Sequence, residues 1–168
     1  MEFNLSVPEN WVLIDRDDYA NLGIEEDEDI KCLSAYTVNS DENMSVICFF
    51  DFEDYDLEFL SDYDETLDEM NDINDEDDLE ADDNVPTVKN VYHGYLDDYD
   101  KVVYININKI QIQDDLCVYS IQIFVEREDD DEEGLLCVQC SINNLDENDP
   151  LNSLLNLAFV KDAIELVI

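Results

Sequence analysis

Basic residues are scarce in this sequence, which has 7 Lys and Arg against 47 Asp and Glu and a formal net charge of -40. Such a charge repels phosphate backbones and anionic lipid, so neither nucleic acid nor a membrane is an expected partner. The same charge attracts cations and positively charged protein surfaces. We therefore expect a basic protein surface as the partner, with weak binding of divalent cations as a secondary property.

Glycine and histidine are nearly absent, with three Gly and one His in 168 residues. The chain has no P-loop, no G-x-G-x-x-G fingerprint and no G-x-S-x-G elbow. A Ser-His-Asp or Cys-His device would have to use His93, which stands beside Gly94 at the end of a predicted strand. A structural or solvated histidine is the simpler interpretation. Carboxylate pairs occur throughout the chain and therefore identify no general acid. We predict that the protein is not an enzyme and needs no cofactor.

Targeting and membrane-spanning segments are also missing from the printed sequence. Residues Met1 to Asn4 contain no basic region, and no apolar run approaches the roughly 20 residues that cross a bilayer. The cysteines are odd in number and fall mostly in strand-like patterns, which is typical of reduced thiols in a cytoplasmic protein. They are Cys32, Cys48, Cys117, Cys137 and Cys140.

The Cys137-x-x-Cys140 spacing is the one cysteine motif in the chain. It falls inside a predicted strand, so the two thiols should point to opposite faces, and the acidic surroundings disfavour a thiolate. A zinc site would need a second pair of soft ligands, which the sequence lacks. We expect five unpaired cysteines and no metal site.

Enough apolar residues are present, 45% of the chain, for one domain spanning residues 1–168. Pro8 ends a first strand or places that strand at a sheet edge, and Trp11 and residues 12–14 then return to the core. A change of parity predicts a bulge near Asn108-Lys109. The period changes from two to about 3.6 at Leu57, which predicts an amphipathic helix over residues 57–73 followed by a loop over 74–84. A second helix follows Asp149-Pro150. Strands are predicted over 31–38, 44–52, 85–92, 101–113, 116–126 and 135–142.

These elements predict an α+β fold, in which an antiparallel β-sheet of about six strands carries an internal amphipathic helix and a C-terminal helix. The opening Phe3–Trp11, which reads FNLSVPENW, resembles the start of PsbP-like proteins. The order of a hairpin, a helix, a segment ending in His93-Gly94-Tyr95, a meander and a closing helix is also similar to that family. The resemblance implies a fold used mostly for binding, as in photosystem accessory proteins, a Ran-binding nuclear import factor and chaperone-like domains. It implies no shared catalytic residues.

Acidic residues are densest between Asp41 and Asp83, where 20 of 43 positions are Asp or Glu and none is Lys or Arg. The carboxylates of the predicted helix are candidates for docking a basic protein. Spaced along a helix they could also imitate a row of phosphates, as an anti-restriction or toxin-neutralising inhibitor would. Because acids also crowd residues 25–29, 97–100 and 128–133, a salt-adapted domain with no charge-specific partner is a third reading. The candidate partner-binding residues are Asp62, Glu65, Asp68, Glu69, Asp72, Asp75 and Glu76.

The run from Asp72 to Asp83 places acids or amides at the alternating ligand positions of an EF-hand loop. Asp77 stands where that loop requires Gly, and no regular pair of helices flanks it. We therefore expect loose cation binding here and no dedicated calcium site.

Overall fold

The computed structural model describes residues 7–39, 44–52, 55–76, 87–96, 99, 101–113, 116–126 and 134–167, with backbone only at 39, 44, 45, 57, 70–76 and 87. The strands are β1 (Trp11–Leu13), β2 (Ile30–Asn39), β3 (Met44–Phe52), β4 (Thr87–Leu96), β5 (Val103–Gln113), β6 (Leu116–Glu126) and β7 (Leu135–Ile142). The helices are α1 (Leu57–Glu76), α2 (Pro150–Leu155) and α3 (Ala158–Val167), and two 3-10 turns lie at Arg16–Asp18 and Ala20–Leu22.

The seven strands form one antiparallel sheet in the order β1-β2-β3-β7-β6-β5-β4. β2 and β3 form a hairpin, β4 to β7 form a meander, and β7 pairs with β3 to join the two. The predicted antiparallel α+β fold is confirmed, but the strand count is seven and not six. The additional strand is β1, a three-residue edge strand that pairs Trp11 with Val38.

Helices cover both faces of the sheet, which is why the central strands are apolar on both sides. On one face α2 and α3 bury Leu154 and Ile164 against residues such as Ile105. On the other face α1 buries Leu60 against Tyr104 and its neighbours. Burying each such side chain contributes about 1.5–3 kcal/mol. β3 lies between β2 and β7, which confirms the central position that its doubly apolar sequence predicts.

Several predicted boundaries need correction. α1 continues to Glu76, so positions 74–76 of the predicted loop are helical and its positions 77–84 lie outside the described residues. The closing helix is two helices, α2 and α3. The predicted bulge at Asn108-Lys109 is wrong, because both residues pair regularly with β4 and β6. The register shifts lie between Cys32 and Ser34 in β2, between Asn90 and Tyr92 in β4, and near the end of β5. Apolar side chains at a half-buried strand end produced the apparent change of parity.

The cysteines lie in strands, as predicted, and all five are free thiols. Cys137 packs in the core beneath α1, while Cys140 packs in the core beneath α2 and α3. The two thiols of the C-x-x-C spacing therefore lie on opposite faces of the sheet. Burial raises the pKa of Cys140 to about 12 and also raises that of Cys137, so both stay protonated at neutral pH.

Candidate functional site

α1 presents a regular row of carboxylates to solvent. Glu58, Asp62, Glu65 and Glu69 follow one another at intervals of four, three and four positions, and all four are exposed. At 1.5 Å rise per residue, successive members lie roughly 5 Å apart along the helix axis. We call these four residues the acidic stripe. The same interval continues to positions 72 and 76 of the helix.

The predicted partner-binding residues divide into three groups. Asp62, Glu65 and Glu69 belong to the acidic stripe. Asp68 turns toward β4, where its Oδ1 lies 2.9 Å from Nε2 of His93, although its side chain keeps 66% exposure. The remaining three lie in α1, but their side chains fall outside the described residues: Asp72, Asp75 and Glu76.

His93 joins the inner side of α1 to the edge strand β4. Its Nδ1 lies 2.6 Å from Oδ1 of Asp64 and its Nε2 contacts Asp68, while the ring is only 13% exposed. Each ring nitrogen that carries a proton can donate a hydrogen bond to the carboxylate facing it. Tyr104 also donates to Asp64 over 3.0 Å. Burial, followed by this hydrogen bond, raises the pKa of Tyr104. Asp64 and Asp68 are thus compensated, whereas the acidic stripe faces water.

The same contacts bear on catalysis. A histidine that donates from both nitrogens has no lone pair with which to accept a proton. No serine or cysteine side chain hydrogen-bonds to His93 in the described part of the chain. That the protein is not an enzyme stays a prediction, and the contacts of His93 do not contradict it.

A directional chain of polar side chains lies under α1. Asn90 donates to Asn106 Oδ1 over 2.6 Å, Asn106 donates to Tyr63 Oη over 2.8 Å, and Tyr63 donates to Gln122 Oε1 over 3.0 Å. Asn106 is fully buried, so each hydrogen bond offsets the cost of removing an amide from water. Gln122 accepts through its oxygen from both Tyr63 and Asn106, which leaves its amide N–H groups for another acceptor.

A pocket of about 320 Å³ opens beside α1 at the end of this polar chain. An acidic loop forms one wall, and strands β3, β6 and β7 supply aromatic and amide groups. We call it the acidic pocket; it is lined by Glu25, Glu26, Asp27, Ile30, Phe50, Phe52, Gln122 and Gln139.

The acidic loop is held in place by its own backbone. Gly23, whose φ of 73° suits glycine, ends the second 3-10 turn and directs the chain toward the pocket. The N–H of Asp27 donates to the carbonyl of Ile30, and the Ile30 N–H donates back to Asp27 Oδ1, both over 2.9 Å. These hydrogen bonds hold the backbone of this wall and the side chain of Asp27 in place.

Arg16 lies against the acidic loop and shows how the loop accommodates a guanidinium. Its Nη1 lies 3.4 Å from Glu26 Oε1, its Nη2 donates to the carbonyl of Cys32 over 3.0 Å, and its Cζ lies 5.6 Å from the centre of the Tyr19 ring. Glu26 is therefore already partly compensated. Within the described ranges, Glu25 forms no ion pair.

Metal binding receives no support from the described residues, which contain no group of three or more His, Cys, Asp or Glu side chains suited to hold an ion. Positions 72–76 of the EF-hand-like run form the end of α1 and not a loop. Its positions 77–83 lie outside the described residues. Weak divalent binding stays a prediction.

Sequence reasoning missed the pairing of His93 with Asp64, the polar chain and the acidic pocket. One signal was visible, since Asn106 lies between Ile105 and Ile107 in the apolar half of its strand and a buried amide requires a partner. Gln122 and Gln139 carry a similar signal, because they are polar residues within apolar strands. The wall formed by Glu25 to Asp27 had no such signal among so many other acids.

Comparison with known proteins identifies no family for this chain. No protein-family model and no curated protein matches it. A solved structure of LpqN, described as involved in cell envelope biogenesis of Mycobacterium tuberculosis, is similar over 98% of this chain and 78% of that one, with a TM-score of 0.43 and 9% identity. That likeness is too weak to carry an argument. No comparison connects the chain with PsbP-like proteins. In the described parts of the chain, no helix has the length and apolarity to cross a membrane.

Proposed function

We propose that this protein is a non-enzymatic binding or accessory protein that engages a basic protein partner through the acidic stripe. One observation carries the proposal. His93 compensates the inner carboxylates Asp64 and Asp68, whereas the described residues provide no ion pair for the four exposed carboxylates of the stripe. The stripe is therefore a row of negative charge on an anchored helix.

Electrostatics explains why such a row favours a basic partner. The stripe carboxylates are spaced more closely than the Debye length of about 8 Å at physiological ionic strength, so a cationic surface feels them together. Complementary charge of this kind accelerates encounter and suppresses wrong partners more than it adds affinity. We expect rapid, salt-sensitive binding.

Two further observations support this role. The element order that resembles PsbP-like proteins implies a fold used mostly for binding. The five free thiols favour a reducing compartment such as the cytoplasm. We accordingly place the protein, as one domain over residues 1–168, among cytoplasmic accessory proteins.

The test uses an eight-residue oligolysine peptide and calorimetric titration at 50 and 300 mM NaCl. The test variant, Asp62→Asn/Glu65→Gln/Glu69→Gln, removes three stripe charges. The control, Glu9→Gln/Asp162→Asn/Glu165→Gln, removes three charges away from α1. Exposed pairs contribute about 0.2–1 kcal/mol each, so the stripe variant should bind at least about threefold more weakly and the control nearly as tightly as the parent. Equal weakening of both contradicts the proposal and favours a salt-adapted domain.

A second candidate is a protein that mimics nucleic acid, which the regular interval of the stripe favours. A labelled DNA duplex bound to a sequence-nonspecific basic protein discriminates between the two. A mimic releases the duplex, and neutralising the stripe abolishes release. Binding of oligolysine without release of DNA favours the accessory role.

A further inference from the structure

We propose that the acidic pocket receives one arginine side chain of the basic partner, which deepens the proposed function and rests on it. The pocket provides three kinds of contact within about 320 Å³. Such a volume lies at the lower end of small-ligand pockets and suits a single side chain.

The lining combines negative charge with aromatic groups. Glu25 and Asp27 supply carboxylates on one wall, while Phe50 and Phe52 supply apolar surface beneath them. A flat, weakly hydrated cation can pair with the carboxylates and also stack on the aromatic rings. The guanidinium of arginine has this shape and weak hydration, whereas the ammonium of lysine is compact and strongly hydrated. The occupant is therefore arginine and not lysine.

The chain's own Arg16 shows the same chemistry at the same loop. Its guanidinium lies between the carboxylate of Glu26 and the ring of Tyr19 and reaches a backbone carbonyl. The acidic pocket combines the aromatic groups of Phe50 and Phe52 with Glu25, whose side chain forms no ion pair within the described ranges. A partner's arginine completes it.

The polar chain adds a third contact. Because Gln122 accepts hydrogen bonds through its oxygen from Tyr63 and Asn106, its amide N–H groups are what it offers to the pocket. Gln139 lies directly across from Gln122 in the sheet. The amide N–H groups of these two glutamines can donate hydrogen bonds to a main-chain carbonyl of the partner, next to the arginine that enters the pocket.

The acidic pocket adjoins the inner side of α1. Tyr63 is a residue of α1 and hydrogen-bonds to Gln122 at the pocket, and Phe52 of the pocket contacts the Tyr55 ring at the start of the helix. One basic segment can therefore place an arginine in the pocket and further basic side chains along the stripe.

The probe is N-acetyl-arginine methylamide, compared with its neutral isostere N-acetyl-citrulline methylamide, in an NMR titration of the isotopically labelled protein. The arginine compound should shift the side-chain amide signals of Gln122 and Gln139, and citrulline should bind at least fivefold more weakly. Gln139→Trp fills the pocket and should weaken binding at least tenfold. Gln113→Trp, at an exposed site at the end of β5, should change it less than twofold.

Glu25→Gln provides a variant that keeps the fold even if Gln139→Trp does not, and it should weaken arginine binding about two- to fivefold. The proposed arginine site is wrong if the citrulline compound binds as tightly as the arginine compound. It is also wrong if neither variant weakens the binding of the arginine compound. If the pocket fails while oligolysine still binds through the stripe, the proposed function stands. If neither probe binds, both proposals are wrong.

Discussion

His93 Nδ1 lies 2.6 Å from Oδ1 of Asp64, although 29 positions separate the two residues in the chain. The contact joins α1 to the edge strand β4. Asp64 lies on the inner side of the helix, whereas the acidic stripe faces solvent. The helix therefore depends on this pairing as well as on its apolar face.

Removing the histidine should destabilise the fold. We expect His93→Gln to lower the free energy of unfolding by about 1–3 kcal/mol, because the partly buried carboxylate of Asp64 and the carboxylate of Asp68 lose their contacts with the imidazole ring. Asp64→Asn should cost more than Asp68→Asn, since Asp64 is less exposed and also accepts from Tyr104. Urea unfolding of the single variants and the His93/Asp64 double variant measures the coupling. Additive effects of the two substitutions contradict the pairing.

The buried amide of Asn106 should be intolerant of a charge. Asn106→Asp keeps the size but removes the donors to Tyr63 and Gln122 and buries a carboxylate, so the cost should reach about 3 kcal/mol or more. Asn148→Asp, in an exposed turn, should change stability by less than about 0.5 kcal/mol. Thermal and urea unfolding compare the two. If both variants lose similar stability, the added negative charge is the cause, and not the loss of the buried hydrogen bonds.

Alkaline pH should unfold the protein. Burial raises the pKa of Tyr104 and Cys137, and raises that of Cys140 from 9.0 to about 12. Above about pH 9 the unfolded chain loses these protons while the native state retains them, so stability falls as pH rises toward the native pKa values. Each such group contributes up to about 1.4 kcal/mol per pH unit. Unfolding curves at pH 8, 9.5 and 11 measure the slope, which Tyr104→Phe should make shallower. An identical slope in that variant contradicts the assignment.

Salt should stabilise the native state. At a net charge of -40, compaction brings carboxylates within a Debye length of one another, and counterions screen that repulsion. The melting temperature should rise with NaCl and should rise at lower concentrations of MgCl2. A melting temperature that is flat in both salts contradicts the view of an uncompensated acidic surface.

All five cysteines should titrate as free thiols when the protein is denatured without reductant. In the native protein Cys117 should react first, because it is half-buried whereas the other four are buried. Measurement with a chromogenic thiol reagent gives both the total and the order. A total of three or fewer, or rapid reaction of Cys137, is incompatible with this structure.

The sequence predicted best those elements whose apolar pattern has only one structural explanation. β3, β6 and β7 have the predicted bounds, because acidic or turn residues end each apolar run. The prediction failed where one pattern had two explanations. Ile110 suggested a bulge although it lies in the half-buried second half of a strand that continues to Gln113. The acids after Ile73 suggested a loop although the α-helix continues to Glu76. Acidic residues by themselves do not mark the end of a helix.

By itself, the sequence determined the antiparallel α+β class, the amphipathic helix and the opposite orientation of Cys137 and Cys140. These follow from local periodicity, since a strand repeats every two residues and a helix every 3.6. Only the tertiary structure decided which of many identical carboxylates matter. Asp64 and Glu65 are neighbours in the chain, yet one meets His93 and the other faces water. The acidic pocket likewise brings together Glu25, Phe52 and Gln122 from distant segments. Residue type alone does not distinguish one carboxylate from another. The long-range packing of α1 and the acidic loop on the sheet gives each carboxylate a different environment.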